Sequence, residues 1–294
     1  MKAEMFKGTG VAVVTPFTDE GKVDYAALEK LINHIIDGRI NYIVALGTTS
    51  EAPVLTSDEK NAVLTRIIEV NNNRVPIVAG VGGNNTQLVA DTIQSMDLTG
   101  LSGILTVAPY YNKPNQNGLY QHFKTIAMAS PIPLILYNVP GRTSSNLSAE
   151  TSLRLASEFD NVKAIKEASG DMSQIMDIIN NKPDDFIVLS GDDALTYPMM
   201  ALGAEGVISV VANAFPAEFS SMVGLCLQGK YQDARKIHYD LLEIMDALFE
   251  DGNPAGIKAA LHSMGIVENN LRLPLVKASD ATYGKIAGLI EKNK

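Results

Sequence analysis

The sequence has a single cysteine, no tryptophan and no long apolar run. Cys226 stands alone, which excludes an internal disulfide and fits a reducing compartment. No segment approaches the ~20 apolar residues that cross a membrane, and the N-terminus lacks the apolar stretch of a signal peptide. Basic residues number 24 against 33 acidic ones, and the net charge of −9 argues against nucleic-acid or anionic-membrane partners. These absences predict a soluble, acidic, cytoplasmic protein.

The 294 residues are 46% hydrophobic, which suffices for a sizeable core. Short, mostly apolar β-branched runs recur along the chain, as expected for strands that are buried on both faces of a parallel sheet. We predict eight strands, which begin near Gly10, Asn41, Val75, Gly103, Pro133, Val162, Phe186 and Gly206.

Amphipathic segments separate these strands. The predicted helices are Asp24–Asp37, a helix that starts with the capping box Thr56–Glu59, Thr86–Asp97, Gly118–Ala129, Ser148–Ser157, Met172–Asn180, Ala194–Leu202 and Ala217–Gln228. Eight strand–helix units predict an α/β fold of the (β/α)8 TIM-barrel type. A doubly wound sheet is the alternative, but its usual glycine motif after the first strand is missing.

The pattern changes to helices alone after Lys230. We predict helices at Lys230–Glu250, Pro254–Met264 and Asp280–Lys294. Residues 1–229 would form the barrel and residues 230–294 a C-terminal helical appendix packed on it. A separate domain is the alternative, although no linker-like stretch precedes this part of the chain.

Reactive and polar residues gather where the predicted strands end. Chemistry in TIM barrels sits at the C-terminal ends of the strands. The segments concerned are Gly47–Glu51, Pro109–Asn112, Tyr137–Arg142, Lys166–Glu167 and Ser190–Asp193. Their concentration at one end predicts an active site there.

Lys166 is the strongest single candidate. Strand periodicity places it on one side with Val162, Ala164 and Ala168, which aims it into the barrel. Burial would lower the pKa of the amine and leave it free to attack a carbonyl. A snorkelling lysine, or one paired with Glu167, is the alternative.

Tyr137 shares its side with Ile135 and could carry protons beside such an amine, although an ordinary core tyrosine is the alternative. Thr48 and Thr49 could hold a carboxylate, or merely cap a loop. Arg142 could clasp a carboxylate, or be a solvated loop residue.

Tyr110 and Tyr111 could be a substrate wall, a proton relay or a packing interface. Asp192 and Asp193 could suggest a metal, but a helix N-cap pair is the preferred interpretation. The four histidines lie far apart on predicted helices with no ligand spacing, and acidic residues after strand 7 disfavour a sugar-phosphate enzyme. No metal site is predicted.

Six segments together carry a family resemblance. They read GTTSE, PYYN, LYNVPGRT, IKEASGD, LSGDDA and GVISV in chain order. The sequence resembles the 4-hydroxy-tetrahydrodipicolinate synthase family from about Gly8 to Leu275. Related pyruvate-dependent aldolases, such as N-acetylneuraminate lyase, share GTT-x-E, YNVP and IKE, whereas PYYN and Arg142 are closer to the synthases. Ser50 departs from the family, which usually has glycine there.

The resemblance implies a class I aldolase that condenses pyruvate with L-aspartate 4-semialdehyde, the first committed step toward lysine. Lys166 would form the Schiff base, Tyr137 would shuttle protons, and Thr48 and Tyr111 would complete the relay, with Tyr111 reaching in from a neighbouring subunit. The substrate-binding residues that the resemblance implies are Thr48, Thr49, Arg142, Gly191 and Ile208. It implies a homotetramer built from two dimers, and neither a metal nor an organic cofactor.

The resemblance also implies an interface pocket in which lysine inhibits many of these enzymes. The positions that would line it here are Ala52, Pro53, Ser57, Lys60, Asn84, Leu88 and Tyr110. Ser57 and Lys60 replace two histidines and Leu88 replaces a glutamate. Since Lys60 would repel lysine and Leu88 cannot pair with it, we expect weak or absent feedback.

Two alternatives to the synthase remain at this point. A sister aldolase, which cleaves a sialic acid or a sugar acid, would keep the lysine and the tyrosine but would not need Arg142. A non-catalytic carboxylate-binding barrel would bind ligand without covalent chemistry.

Overall fold

The computed structural model describes residues 3–292. Eight parallel strands in it form a closed barrel. Each strand pairs with the next along the chain, and the last pairs with the first. The strands are β1 (Gly8–Ala12), β2 (Tyr42–Ala45), β3 (Ile77–Gly80), β4 (Gly103–Val107), β5 (Leu134–Asn138), β6 (Val162–Glu167), β7 (Ile187–Ser190) and β8 (Gly206–Ser209). This topology confirms the predicted TIM barrel and excludes the doubly wound sheet.

Helices surround the barrel and continue beyond its last strand. They are α1 (Tyr25–Asp37), α2 (Ser57–Asn71), α3 (Thr86–Ser95), α4 (Gln116–Ala129), α5 (Pro140–Thr143), α6 (Ala149–Glu158), α7 (Met172–Asn181), α8 (Asp193–Ala201), α9 (Pro216–Leu227), α10 (Tyr231–Ala247), α11 (Ala255–Ser263) and α12 (Asp280–Lys292). The capping box at Thr56 and Glu59 starts α2 as predicted. None of the described helices is long and apolar enough to cross a membrane.

Most boundaries fall within a few residues of the prediction, with β1 two residues earlier and α4 starting at Gln116. The helix α5 was not predicted, because four residues are too short to show a helical period. Residues 293 and 294, which end the predicted last helix, lie outside the described residues.

Two buried clusters make up the core. The inner cluster fills the barrel with side chains such as Val44, Leu105, Ile135 and Leu189, and the outer cluster packs the helices on the strands. The Tyr42 ring lies where a side chain on Gly10 would be, so glycine there leaves room for an aromatic ring inside the barrel.

A register shift in β6 sets the direction of the site lysine. Leu134 pairs with Val162, but the next residue of β5 pairs with Ala164, so the strand carries one extra residue. Val162 consequently belongs to the outer cluster, whereas Ala164 belongs to the inner one. The prediction that Val162 shares a side with Lys166 is wrong, because the bulge interrupts the alternation.

The C-terminal helices share the outer cluster with the barrel. Leu241 and Ile244 of α10, Ile257 of α11 and Ile286 of α12 are all buried in it. The helix α10 packs against α8 and α9. The division into residues 1–229 and 230–294 stays a prediction.

Candidate active site

Lys166 lies inside the barrel near the C-terminal end of β6. Its side chain is buried, with 5% exposed. The stem of the lysine passes over Gly191, where an added Cβ would lie 3.0 Å from the lysine Cε. Glycine at position 191 therefore makes room for the lysine side chain.

The Lys166 ammonium has no acidic partner among the described residues. Glu167, the next residue, points to the other face of the strand. Its carboxylate accepts hydrogen bonds from Asn138 Nδ2 at 2.6 Å, Ser169 Oγ at 2.6 Å and Gln174 Nε2 at 2.9 Å. The alternative of a Lys166–Glu167 pair is therefore wrong.

Tyr137 is the immediate neighbour of Lys166 across the β5–β6 ladder. The lysine Nζ lies 4.3 Å from the centre of the tyrosine ring. Tyr137 is buried in the inner cluster with Ile135, as the strand alternation predicts. Its hydroxyl group has no hydrogen-bond partner among the described residues, so it can bond to a bound molecule.

The turn Thr48–Ser50 follows β2 as a short 3-10 turn. Thr48 is exposed, whereas Thr49 is buried and its Oγ1 accepts a hydrogen bond from Asn253 Nδ2 at 2.9 Å. Ser50 donates its hydroxyl to the Gly47 carbonyl at 2.7 Å. Because the Ser50 φ is negative, serine replaces the usual glycine here without backbone strain.

Glu51 ends this turn in the left-handed conformation, with φ of 55°. Its carboxylate is fully buried and accepts a hydrogen bond from Lys258 Nζ at 2.5 Å and another from the Arg272 backbone N–H at 3.0 Å. The sequence interpretation missed Asn253, Lys258 and Arg272, because about two hundred residues separate them from the turn and no local spacing signals the contacts.

Arg142 and Tyr111 lie in neighbouring loops at the same end of the barrel. Arg142 belongs to α5 rather than to an irregular loop, and its side chain is exposed. Tyr111 is 86% exposed and has a positive φ of 73°. Its backbone N–H donates to the Thr143 carbonyl at 3.4 Å, which links the two loops.

Asp193, near the start of α8 after β7, forms hydrogen bonds with the backbone that follows β8. Asp192 caps α8 through the N–H groups of Ala194 and Leu195, as predicted. Asp193 does not cap α8, so the prediction of an N-cap pair is wrong for Asp193. It is buried and accepts hydrogen bonds from the Val210 and Val211 N–H groups at 3.0 and 2.7 Å. Burial raises the pKa of Asp193 to about 6.

No group of three or more His, Cys, Asp or Glu side chains is arranged to hold a metal within residues 3–292. What the site does offer is an unpaired buried amine, a phenol beside it, and backbone turns at the strand ends. An amine of this kind can attack a carbonyl and form a covalent imine.

The sequence model of the dihydrodipicolinate synthetase family matches residues 5–293. This chain belongs to that family.

Relatives in the dihydrodipicolinate synthetase family match this chain over almost its whole length. The 4-hydroxy-tetrahydrodipicolinate synthase of Parabacteroides distasonis is 52% identical over 286 residues, which cover 97% of this chain and 96% of that protein. The crystal structure of dihydrodipicolinate synthase from Aquifex aeolicus is 42% identical, with a TM-score of 0.95 and 98% of each chain covered. A structure described as a monomeric dihydrodipicolinate synthase variant is 38% identical, with a TM-score of 0.96, 99% of this chain and 97% of that chain covered.

The positions predicted for a lysine pocket are only partly joined in the single chain. Asn84 accepts a hydrogen bond from the Tyr110 N–H at 2.8 Å, so these two residues lie together as the family resemblance implies. Leu88 is exposed on α3.

Ile208 is the last of the predicted site residues. It is buried in the inner cluster on β8, which places its backbone inside the barrel wall. Within the described chain Thr48, Tyr111 and Arg142 form no hydrogen bond or ion pair with Lys166, whereas the lysine lies against the Tyr137 ring and passes over Gly191. The single chain thus brings together the lysine, the tyrosine and the glycine, and leaves the other candidates around the same end.

Proposed function

We propose that this chain condenses pyruvate with L-aspartate 4-semialdehyde to give 4-hydroxy-tetrahydrodipicolinate, with Lys166 as the Schiff-base residue. The observation that carries the proposal is the buried Lys166 amine, which lies against Tyr137 and lacks an acidic partner among the described residues. A lysine paired with a carboxylate would be held as an ammonium. An unpaired one can give up its proton and become a nucleophile.

The first steps form a covalent imine. The lone pair of Lys166 Nζ attacks the pyruvate carbonyl carbon, and the carbonyl oxygen leaves as water after taking up protons. Tyr137 is next to the nitrogen and would transfer these protons, with Thr48 and Tyr111 completing the relay. Positioned acid–base groups of this kind contribute about 10²–10⁴ to the rate.

The protonated imine then acts as an electron sink. A methyl proton of pyruvate is lost to a base, and the resulting enamine carbon attacks the aldehyde carbon of the semialdehyde. The amine of the second substrate next attacks the imine carbon, which closes the ring and releases Lys166. No metal or organic cofactor is required for any of these steps.

The remaining site residues would bind the two carboxylates. The backbone of Thr48 and Thr49 would hold the pyruvate carboxylate, and Arg142 would hold that of the semialdehyde. Gly191 and Ile208 would contribute backbone groups beside Lys166. Arg142 is exposed and its side chain forms no hydrogen bond or ion pair within the described residues, so it is free to bind an anion.

Borohydride trapping tests the Schiff base directly. The protein is incubated with pyruvate, reduced and digested, and the modified peptide is located by mass spectrometry. We expect the adduct on Lys166 and none in Lys166→Met. Lys163 is a matched control, since it is also buried in β6 but is paired with Asp185. An adduct on another lysine would refute the assignment of Lys166. No adduct at all would refute the proposal and favour a carboxylate-binding barrel.

The second substrate distinguishes the proposed reaction from that of a sister aldolase. Turnover of pyruvate with aspartate semialdehyde, followed in a coupled assay, is the expected result. Cleavage of N-acetylneuraminate or 2-keto-3-deoxygluconate without this condensation would assign the chain to the sister activity.

We propose a homotetramer of two dimers in which Tyr111 enters the site of the neighbouring subunit. Its side chain is 86% exposed in the single chain, and its own backbone has the left-handed conformation. Analytical ultracentrifugation tests the assembly, and subunit mixing tests the tyrosine. Lys166→Met and Tyr111→Phe are each expected to be weakly active or inactive alone.

In a mixed dimer, one site would contain both an intact Lys166 and an intact Tyr111 from the other chain. Random reassembly should restore about a quarter of the wild-type activity, because half of the dimers are mixed and each has one complete site of two. If Tyr111 serves its own subunit, mixing will restore nothing.

We further propose that lysine inhibits this enzyme weakly or not at all. Lys60 brings a like charge to the predicted pocket, and the exposed Leu88 offers no carboxylate. Strong inhibition by millimolar or lower lysine in the coupled assay would contradict this. We also propose a cytoplasmic location, which cell fractionation checks.

A further inference from the structure

Three hydrogen bonds tie the Thr48–Glu51 turn to residues 253–272. Asn253 Nδ2 donates to Thr49 Oγ1 at 2.9 Å, Lys258 Nζ to Glu51 Oε1 at 2.5 Å, and the Arg272 N–H to Glu51 Oε2 at 3.0 Å. Both oxygens of the Glu51 carboxylate are therefore occupied. Thr15, after β1, also donates its hydroxyl to the Ser50 carbonyl at 2.8 Å. The turn is therefore held in part by residues 253–272, a part of the chain that contributes no strand to the barrel.

The Glu51–Lys258 pair is closed off from solvent on every side. Both side chains are 0% exposed. The ammonium also donates to the Asn270 carbonyl at 2.8 Å and lies 4.1 Å from the centre of the Phe17 ring. Neither charge can turn to water, so each fixes the position of the other.

The geometry points to Lys258 and Glu51 as a positioning pair for substrate binding. We propose that the pair holds the Thr48–Thr49 backbone in the conformation that binds the carboxylate of a 2-oxo acid. The inference rests on the proposed role of this turn in binding pyruvate. Neither residue touches the reacting atoms.

The conformation of Glu51 explains why the turn needs this pair to hold it in place. Its φ of 55° is unusual for a residue other than glycine, and Glu51 lies two residues after Thr49, separated from it only by Ser50. Left-handed residues persist only where the surroundings hold them. If the carboxylate lost its partners, Glu51 would be free to relax, and the N–H groups of the preceding turn would shift with it.

Raising the pH should remove the proton from Lys258 and weaken its pairing with Glu51 without any substitution. Burial lowers the pKa of Lys258 to about 8, and the Arg272 guanidinium also lowers it, whereas Glu51 opposes the shift. Arg272 is itself neutralised by Glu59, with which it forms two hydrogen bonds at 2.8 and 2.5 Å. Phe17 and Asn270, which also contact Lys258, carry no charge.

Steady-state kinetics of single variants test the proposal. Lys258→Met and Glu51→Gln should raise the KM for pyruvate about tenfold, the factor that corresponds to one misaligned charged hydrogen bond, and change kcat much less. Lys258→Arg keeps the charge and should stay within a few-fold of the wild type. Lys285→Met is the matched control, because it removes an exposed ion pair with Glu250 in the same C-terminal part of the chain.

A pH profile provides a readout that loss of folding cannot imitate. The KM of the wild type for pyruvate should rise above pH 8 as Lys258 loses its proton, whereas Lys258→Arg should show no such rise. Parallel profiles, or a KM unchanged in both Glu51→Gln and Lys258→Met, would overturn the inference. If Lys258→Met does not fold, Glu51→Gln and the two pH profiles decide.

The same measurements separate this inference from the proposed function. A wild-type protein that forms no pyruvate adduct refutes the proposed function. A wild-type protein that forms the adduct and turns over, with variants of unchanged KM, refutes the positioning pair alone.

Discussion

Lys166 and Lys258 are both buried lysines that lie over an aromatic ring, and yet they have opposite surroundings. Lys166 lies 4.3 Å from the Tyr137 ring centre inside the barrel, with no acidic partner in the described chain. Lys258, on the C-terminal helix α11, lies 4.1 Å from the Phe17 ring centre and is bound to Glu51 of the turn after β2.

The difference shows what a buried amine requires for each task. A buried ammonium with a hydrogen-bonded carboxylate is fixed in place, and removing either partner leaves an uncompensated charge. A buried amine without such a partner is not held by a carboxylate and remains available for covalent chemistry. Burial alone therefore does not single out Lys166 as the proposed nucleophile; the absence of an acidic partner in the described chain distinguishes it from Lys258.

Replacing Lys166 should have the largest effect on activity. Lys166→Met removes the proposed nucleophile, and turnover should fall by more than about 10³-fold. The free energy of unfolding should stay the same or rise, because methionine fills a similar volume with no amine to bury. A coupled assay and urea unfolding at matched protein concentration measure both effects. If Lys166→Met retains turnover, Lys166 is not the nucleophile and its functional contrast with Lys258 disappears.

Replacing Lys258 should have the largest effect on stability. Lys258→Met leaves the Glu51 carboxylate buried without its counter-ion and should cost about 3–5 kcal/mol of unfolding free energy. The double variant Glu51→Gln/Lys258→Met removes both charges and should recover much of that loss. Urea unfolding compares the two, and an equal loss in both would contradict a charge-pair origin.

The hydroxyl of Tyr137 should matter more than its ring contact. Tyr137→Phe keeps the ring beside Lys166 but removes the hydroxyl that we propose transfers protons, so kcat should fall about 10²-fold or more. The free energy of unfolding should change little, because the hydroxyl has no partner within the described residues. An unchanged kcat would leave Tyr137 as a packing residue.

Asp193 extends the comparison to a buried acid, whose effect on stability depends on pH. Its folded-state pKa is raised from 3.8 to about 6. The folded protein therefore holds the Asp193 proton more tightly than the unfolded chain does. The resulting contribution to stability is complete below pH 3.8 and is lost as the pH rises through 6, up to about 3 kcal/mol.

Asp193→Asn serves as the matched variant, because its amide oxygen can still accept the Val210 and Val211 N–H groups. The wild type should gain stability relative to this variant as the pH falls from 7 to 4, measured by thermal unfolding at each pH. Parallel curves for the two proteins would show that the acid does not titrate in this range.

The strand period carried much of the prediction, and its failures have local causes. Alternation placed Tyr137 and Ile135 on one side correctly. It failed at Val162, because one extra residue in β6 shifts the register, and such a bulge has no signature in a short apolar run. The residue pair Asp192–Asp193 shows the same limit: the cap was predictable from position, whereas the contact of Asp193 with β8 was not.

The sequence by itself determined the barrel, the strand ends at which polar residues collect, and the candidacy of Lys166 and Tyr137. These follow from local patterns, because a strand alternates with period two and chemistry in TIM barrels collects at one end. Only the tertiary structure decided which buried lysine is paired. Glu51 and Lys258 are 207 residues apart in sequence and meet because the C-terminal helices pack back onto the barrel. A counter-ion is defined by distance in space, which no local pattern records.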